Sequence, residues 1–486
     1  MKKILSLMLL ANLFVHLQAQ VTFQEAYDQF KQQAKDEYET FRDEANKVYV
    51  EFVRQAWDEH KVMPAIPKPK EEEVPPVIIP DEDLLKPIES APIEIEDKVI
   101  EIPTIEPQPL PVEPIREQPT VTEEKVSFTL YGTTLKVRFE KKQAFKLNGC
   151  TPNAVADAWE KLAKKDYDNL IRDCLELRIT QQLNDWAYLK MLDKMAQACV
   201  GKGNEAILLM AYVYCQSGYK MRLGMGNNRL YMLFSSKHSI YDKGYFTIEG
   251  ENYYVYGDET YQMSICDAAF PKEKSLSLWI PQAMKLTGRR SDARTLISTR
   301  YPDIKIQVSV NKNLIDFMNE YPTSMIGENF MTRWAMYGNT PLEDRLKGEL
   351  LPKFKEKLKG LSQKDAVERL LNWVQTAFVY EYDDKVWGGD RAFFAEESLY
   401  YPYCDCEDRS ILFTRLVRDL LGLKCILIYY PGHLASAVQF TESVKGDYIQ
   451  LNGGRFVVCD PTYIGAPIGY TMPNMDNATA TVILLE

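Results

Sequence analysis

The sequence predicts an α+β protein in which helices alternate with antiparallel strands. Three observations carry that expectation. Apolar residues recur at helical spacing over about 153–200, 342–360 and 362–378. Tyrosine- and valine-rich runs such as "GYFTIEGENYYVYGDE" and "KCILIYY" read as strands bounded by turn residues. A helix–strand–hairpin order also occurs twice, once in the middle of the chain and once near its end.

The first residues, MKKILSLMLLANLFVHLQAQ, have a basic start at Lys2 and Lys3 and an apolar stretch from Ile4 to Val15. A plausible cleavage site follows at Ala19. This reads as a secretory signal peptide over 1–19, too short for a membrane span, so the mature chain is expected to be exported, to the periplasm, cell envelope or medium. No second long apolar run predicts a transmembrane segment. Residues 20–60 hold an amphipathic helix, with Phe23, Tyr27, Phe30, Ala34, Tyr38, Phe41, Ala45, Phe52 and Ala56 at steps of three, four or seven. It is expected to pack on its own protein, with a protein partner as the other reading.

Residues 61–122 carry fourteen of the 26 prolines and predict an extended, largely disordered linker. An α+β domain over 123–300 begins with "SFTLYGTTLKVRF", a strand pair around Gly132. Helices follow, then "NEAILLMAYVYCQSGYKMRLGM", a helix ending at Gly218 and a strand. The last domain, 301–486, opens with the strand "IKIQVSV". Its helix from Gln363 is preceded by Ser362, with Asp365 three residues on, close to a capping box.

At 486 residues, 45 % hydrophobic and 26 % charged, the chain can fill at least one large core. A net charge of -11 argues against nucleic acid as a general partner. Nine cysteines, an odd number at irregular spacing, do not form a small secreted disulfide framework, so at least one free thiol is expected.

One stretch, "YYPYCDCEDRSILF", concentrates the chemistry. Leu412, Leu416 and Leu420 define a helix from Cys406 to Leu421, with Gly422 as the C′ residue. Cys406 then sits in the first turn, where the helix dipole favours a thiolate and should lower its pKa. A cysteine nucleophile needs a base, and the base an orienting group. Of four histidines, His433 alone follows this helix, at the start of a strand; Asp460 ends the last strand, after the hairpin signal Asn452-Gly453-Gly454. A plain meander would separate His433 from Asp460. Their strands are therefore expected to be antiparallel neighbours, with 447–451 to one side.

The series Cys406, His433, Asp460 resembles the transglutaminase-like branch of the papain-like thiol enzymes. The motifs are Asp405-Cys406-Glu407-Asp408 before an apolar helix and Asp460-Pro461-Thr462 after the last strand. "LLNWVQTAFVYEYD" resembles the family's helix before the cysteine loop. The resemblance covers about 340–486. It departs from the family in Leu434-Ala435-Ser436, where a small residue and an aromatic are common. It implies Cys406 as nucleophile, His433 as base, Asp460 as orienter, and peptide or protein substrates. The reaction would pass through a thioester, with hydrolysis (a protease or peptidase) favoured over transglutamination. The backbone N–H of Cys406, Tyr400, Tyr401 and Trp373 are candidate oxyanion donors. No cofactor or metal is required.

Other readings stand beside this one. Cys406 could be an ordinary thiol, Cys404 and Cys406 a zinc pair, or Cys404 the disulfide partner of Cys425 or Cys459. Asp460 could merely cap a strand. Asp383, Asp384 and Asp390 could hold calcium, although a solvated loop is the simpler reading. The whole could be a non-catalytic envelope adaptor with a relic thiol-enzyme fold. Finally, the middle region aligns on the last one with Ala206 on Ser410 and Gly218 on Gly422, which puts Cys406 at Lys202, His433 at Arg229, and Gly257 and Asp258 near Asp460. The middle domain then reads as a degenerate copy lacking nucleophile and base.

Overall fold

The computed structural model describes residues 41–70, 74–95, 98–119, 124–257 and 261–486. The proposed leader and the first part of the amphipathic helix lie outside them. The fold is mixed α+β, built on two antiparallel sheets with helices packed against them.

Residues 41–55 are helical, but the helix does not reach residue 60 as expected: Trp57–His60 is a strand paired with Met263–Cys266. The buried stripe of the helix is Ala45, Tyr49, Val50 and Val53, with the Tyr49 ring 4.6 Å from that of Trp159. The helix packs on its own protein, as expected, but not through the aromatics first assigned to its core: Phe41 and Phe52 are exposed. A 3.6-residue period fits more than one stripe, and the partner surface selects among them. "SFTLYGTTLKVRF" forms the predicted hairpin, Lys125–Leu130 with Thr133–Arg138. Helices Pro152–Leu162, Asp168–Thr180 and Asp185–Val200 follow.

The two sheets repeat one topology. Helix Asn204–Gln216 leads into Met221–Gly226, Arg229–Ser235, Tyr245–Ile248, Glu251–Val255 and Met263–Cys266. Helix Cys406–Leu421 leads into Lys424–Tyr430, His433–Gln439, Tyr448–Leu451, Gly454–Cys459 and Thr481–Leu484. In both sheets the second strand lies beside the first and the fourth beside the second. The third lies outside the fourth, and the fifth flanks the first on its other side. The His433 and Asp460 strands are therefore antiparallel neighbours, Ser436 opposite Cys459, with Tyr448–Leu451 to one side. The hairpin signal holds as well: Asn452 and Gly453 have φ of 49° and 75°.

The proline-rich stretch departs from the expected disordered spacer. Its described residues form a strap along the body. Pro92–Ile93 pairs with Tyr448–Ile449 and Val99–Ile100 with Val482–Ile483, covering both edges of the second sheet. Val77–Ile78 pairs with Tyr463–Ile464. Proline is tolerated on an edge because half the backbone groups there need no partner, and the short apolar pairs between prolines supply strands. Further on, the strap lies against Gly218, where a Cβ would come 2.0 Å from the Leu110 carbonyl oxygen, so only glycine fits.

Helix Gln363–Ala377 packs on helix Cys406–Leu421, and its Trp373 is fully buried against Phe354 and Phe378. Ser362 caps the former, its Oγ accepting the Asp365 N–H at 3.1 Å. Gly422 ends the latter at φ 66°. Among the described residues no helix is long and apolar enough to cross a membrane.

Beneath the Cys406 helix lies a buried carboxyl group, Glu396. Burial, with the Glu343 and Glu397 charges nearby, pushes its pKa up to about 8, although it accepts the Glu343 N–H. A carboxyl raised in the folded state stabilises the fold fully below its unfolded value near 4.5 and loses that contribution as pH rises to about 8. Glu396→Gln keeps the acceptor and removes the proton equilibrium. It is expected to raise stability at pH 9 by about 1–3 kcal/mol and to change little at pH 4, checked by urea titration at both values.

Candidate active site

The site is assembled at the end of a helix and the ends of two strands. Asp405 caps Cys406–Leu421 and exchanges capping-box contacts with Asp408. Asp408 also accepts the Phe393 N–H at 2.7 Å, which anchors the loop before the cysteine. Ser410, one turn into the helix, donates to the Leu434 carbonyl at 2.8 Å and clamps the helix to the His433 strand.

His433 begins its strand after the Pro431-Gly432 turn and is 2 % exposed. Its Nε2 lies 2.9 Å from Asp460 Oδ2. The other carboxylate oxygen of Asp460 accepts the N–H groups of Thr462 at 2.8 Å and Tyr463 at 3.3 Å. The Asp-Pro-Thr turn therefore holds Asp460 from behind while its second oxygen holds the imidazole. The Nδ1 atom of His433 is buried and has no hydrogen-bond partner among the described residues. Cys406 and His433 line one cavity of about 480 Å³. The Leu434 N–H bonds to the Cys406 thiol. His433 and Asp460 are thus hydrogen-bonded, and Cys406 shares a cavity with His433, its own hydrogen bond going to Glu407 and not to the imidazole.

The electrostatics differ from expectation. Instead of lowering the thiol pKa, the environment raises it well above its usual value: burial is the largest cause, followed by the Glu407 and Asp405 carboxylates, against the Leu434 N–H. Cys406 Sγ donates to Glu407 Oε2 at 3.2 Å. The helix-dipole argument omitted both the desolvation of a residue only 3 % exposed and the acids on either side of it. Glu407 is itself pushed up by burial and by Asp390, against the Arg333 charge.

Several alternatives can be placed. All nine cysteines are free thiols, so Cys404 forms no disulfide with Cys425 or Cys459. The metal-capable groups among the described residues contain only carboxylates, and the Cys404–Cys406 pair is in neither. Asp383 and Asp390 approach Glu407, whereas Asp384 does not join them. Asp390 is engaged by Arg333, one nitrogen at 3.0 Å, and Asp383 accepts the Arg391 N–H. Trp373 is excluded as an oxyanion donor, because its indole N–H bonds to the Leu296 carbonyl at 3.3 Å. The Tyr401 hydroxyl points to Asn319 at 2.7 Å.

Sequence reasoning missed Gln375. Its Nε2 donates to the carbonyls of Asp460 at 3.0 Å and Tyr463 at 2.8 Å, and its Oε1 accepts the Gly465 N–H at 3.2 Å. It staples the loop that holds Asp460. Its only sequence signal was a polar residue on the apolar face of a helix. The middle sheet has a cavity in the equivalent position, about 510 Å³, lined by Lys202, Arg229, Tyr256 and Gly257. The residues aligned with Cys406, His433 and Asp460 thus meet in space there too, without a nucleophile or imidazole. The chain matches no family model, no curated protein and no solved structure.

Proposed function

We propose that the protein is an exported cysteine-dependent acyl-transfer enzyme resembling the transglutaminase-like branch of the papain-like thiol enzymes, with an inactive first copy of the same unit. One observation carries the reading. A helix-borne cysteine shares a cavity with a buried histidine whose Nε2 is held by an aspartate and whose Nδ1 is left unpartnered among the described residues. Asp460 keeps the proton on Nε2, so Nδ1 presents a lone pair.

In the proposed reaction the Cys406 S–H proton passes to His433 Nδ1. The thiolate attacks a substrate carbonyl carbon, and a tetrahedral intermediate forms. The imidazolium returns the proton to the leaving amine as the C–N bond breaks, leaving a thioester on Sγ. His433 then takes a proton from water, and hydroxide attack releases the acid and the thiol. An amine in place of water would give a new amide. Water is the default acceptor, so hydrolysis of peptide or protein amides is favoured.

The raised thiol pKa favours a second reading, in which the set is a relic in a binding protein. Acylation by p-nitrophenyl acetate separates the two. The active reading expects a burst of one p-nitrophenol per chain, mapped to Cys406 and slowed at least about 10²-fold by His433→Ala. Glu407→Gln is expected to lower the apparent thiol pKa and speed the burst at pH 7, because the acid and its hydrogen bond hold the proton on sulfur. A Cys406 that is unacylated in both chains would establish the relic.

A further inference from the structure

The cavity at Cys406 is not lined by the two helices and the sheet alone. Pro67, Lys68, Pro69 and Lys70 of the strap form part of its wall. The segment is held there by its backbone. Met63 and Tyr245 pair as an antiparallel bridge, and the Ile66 carbonyl accepts the Asp242 N–H at 2.8 Å. The Lys68 N–H reaches Asp242 Oδ1 at 3.4 Å, and its ammonium donates to the Asp390 carbonyl at 3.2 Å. Farther along, the Val74 N–H bonds to the carbonyl of Gly432, the residue before His433, at 2.9 Å.

The surroundings suit such an occupant. Asp242, Asp384, Asp390 and Glu407 line the same cavity. Its two arginines are engaged, Arg333 by Asp390 and Arg391 by Glu397. With Asp390 paired to Arg333 and the Glu407 pKa pushed up, Asp242 and Asp384 are the acids left to give the wall its negative charge, and it faces two lysines on an extended chain. Prolines 67 and 69 fix φ, so a segment of this kind loses little entropy when it lies in a groove.

We propose that Ile66–Lys70 occupies the mouth of the Cys406–His433 cleft as a tethered stand-in for substrate. The substrate class is an extended peptide carrying lysine side chains beside prolines. The assignment of substrate rests on the acyl-transfer reading of the site. The tether keeps the stand-in at an effective concentration of about millimolar, so a free peptide must exceed that or the strap must be displaced. The buried, protonated thiol of the closed cleft accords with this resting state.

The test uses the full mature chain with Pro67-Lys68-Pro69-Lys70 replaced by Gly-Ser-Gly-Ser, and separately the double substitution Lys68→Glu, Lys70→Glu. Iodoacetamide alkylation of Cys406 is followed by peptide mass mapping, which separates it from the other eight thiols. Both variants are expected to react at least about tenfold faster than the natural chain. Millimolar acetyl-Ala-Ile-Pro-Lys-Pro-Lys-amide should restore the slow rate in the first variant. The same peptide should bind the Gly-Ser variant carrying Cys406→Ala, read by the fluorescence of Trp334 and Trp387 in the cleft, and its Lys→Glu analogue should not. Rates within twofold of the natural chain in both variants would overturn the proposal. So would acceleration that the peptide fails to reverse, or equal binding of the Glu analogue. Peptide binding with no acyl-enzyme burst would retain the cleft's ligand and reject the enzyme.

Discussion

Asp460→Asn is expected to slow acylation of Cys406 by about 10³–10⁴-fold while leaving the fold intact. The asymmetry arises from the two ends of the carboxylate. One oxygen accepts the N–H groups of Thr462 and Tyr463, and an asparagine carbonyl can do the same, so the turn is kept. The other oxygen faces His433 Nε2 at 2.9 Å. Replacing it with an amide N–H₂ turns that partner into a donor. Nε2 must then accept, the ring proton moves to Nδ1, and Nδ1 no longer takes a proton from the thiol. The p-nitrophenyl acetate burst measures the rate, and the urea midpoint verifies the fold. Acylation within tenfold of the natural chain would remove His433 from the role of base.

The second large effect is on stability. Arg409→Met is expected to cost about 3–5 kcal/mol, measured by urea unfolding. Arg409 is 1 % exposed and lies one turn into the Cys406 helix. Its guanidinium donates to the Gln375 carbonyl at 3.0 Å and to the Phe378 carbonyl at 3.1 Å, with Pro461 at 3.5 Å. The first two belong to the C-terminal end of helix Gln363–Ala377, where carbonyls have no partner within the helix. The third follows Asp460 directly. Methionine fills the volume but leaves these acceptors buried without a donor. Arg409→Lys should recover part of the loss, since one ammonium cannot reach all three. A cost below about 1 kcal/mol would show that the loop and helix end hold without it.

Much of the local structure was legible because short-range rules govern it. The bounds of Cys406–Leu421 follow from the leucine spacing and from Gly422, and the Asn452-Gly453 turn from residues that accept positive φ. The placing of the His433 and Asp460 strands as neighbours came from a chemical demand, that base and orienter touch. What was misjudged depends on partners distant in sequence. Phe52 and Val53 are equally apolar in the sequence, yet only Val53 meets the body of the protein. The strap has the composition of a free linker, and the sheet edges it covers exist only after the chain has folded.

By itself the sequence determined the α+β class and the repeated helix–strand–hairpin order, and it singled out Cys406, His433 and Asp460 as the series proposed here as a thiol site. Tertiary structure decided their state. Burial and the acids at 405 and 407 raise a thiol that the helix end alone would have lowered, because desolvation of a charge outweighs a partial dipole. It also brought Gln375, Arg409 and the strap to the site from outside the motif, since hydrogen bonds between segments 30 to more than 300 residues apart leave no local pattern.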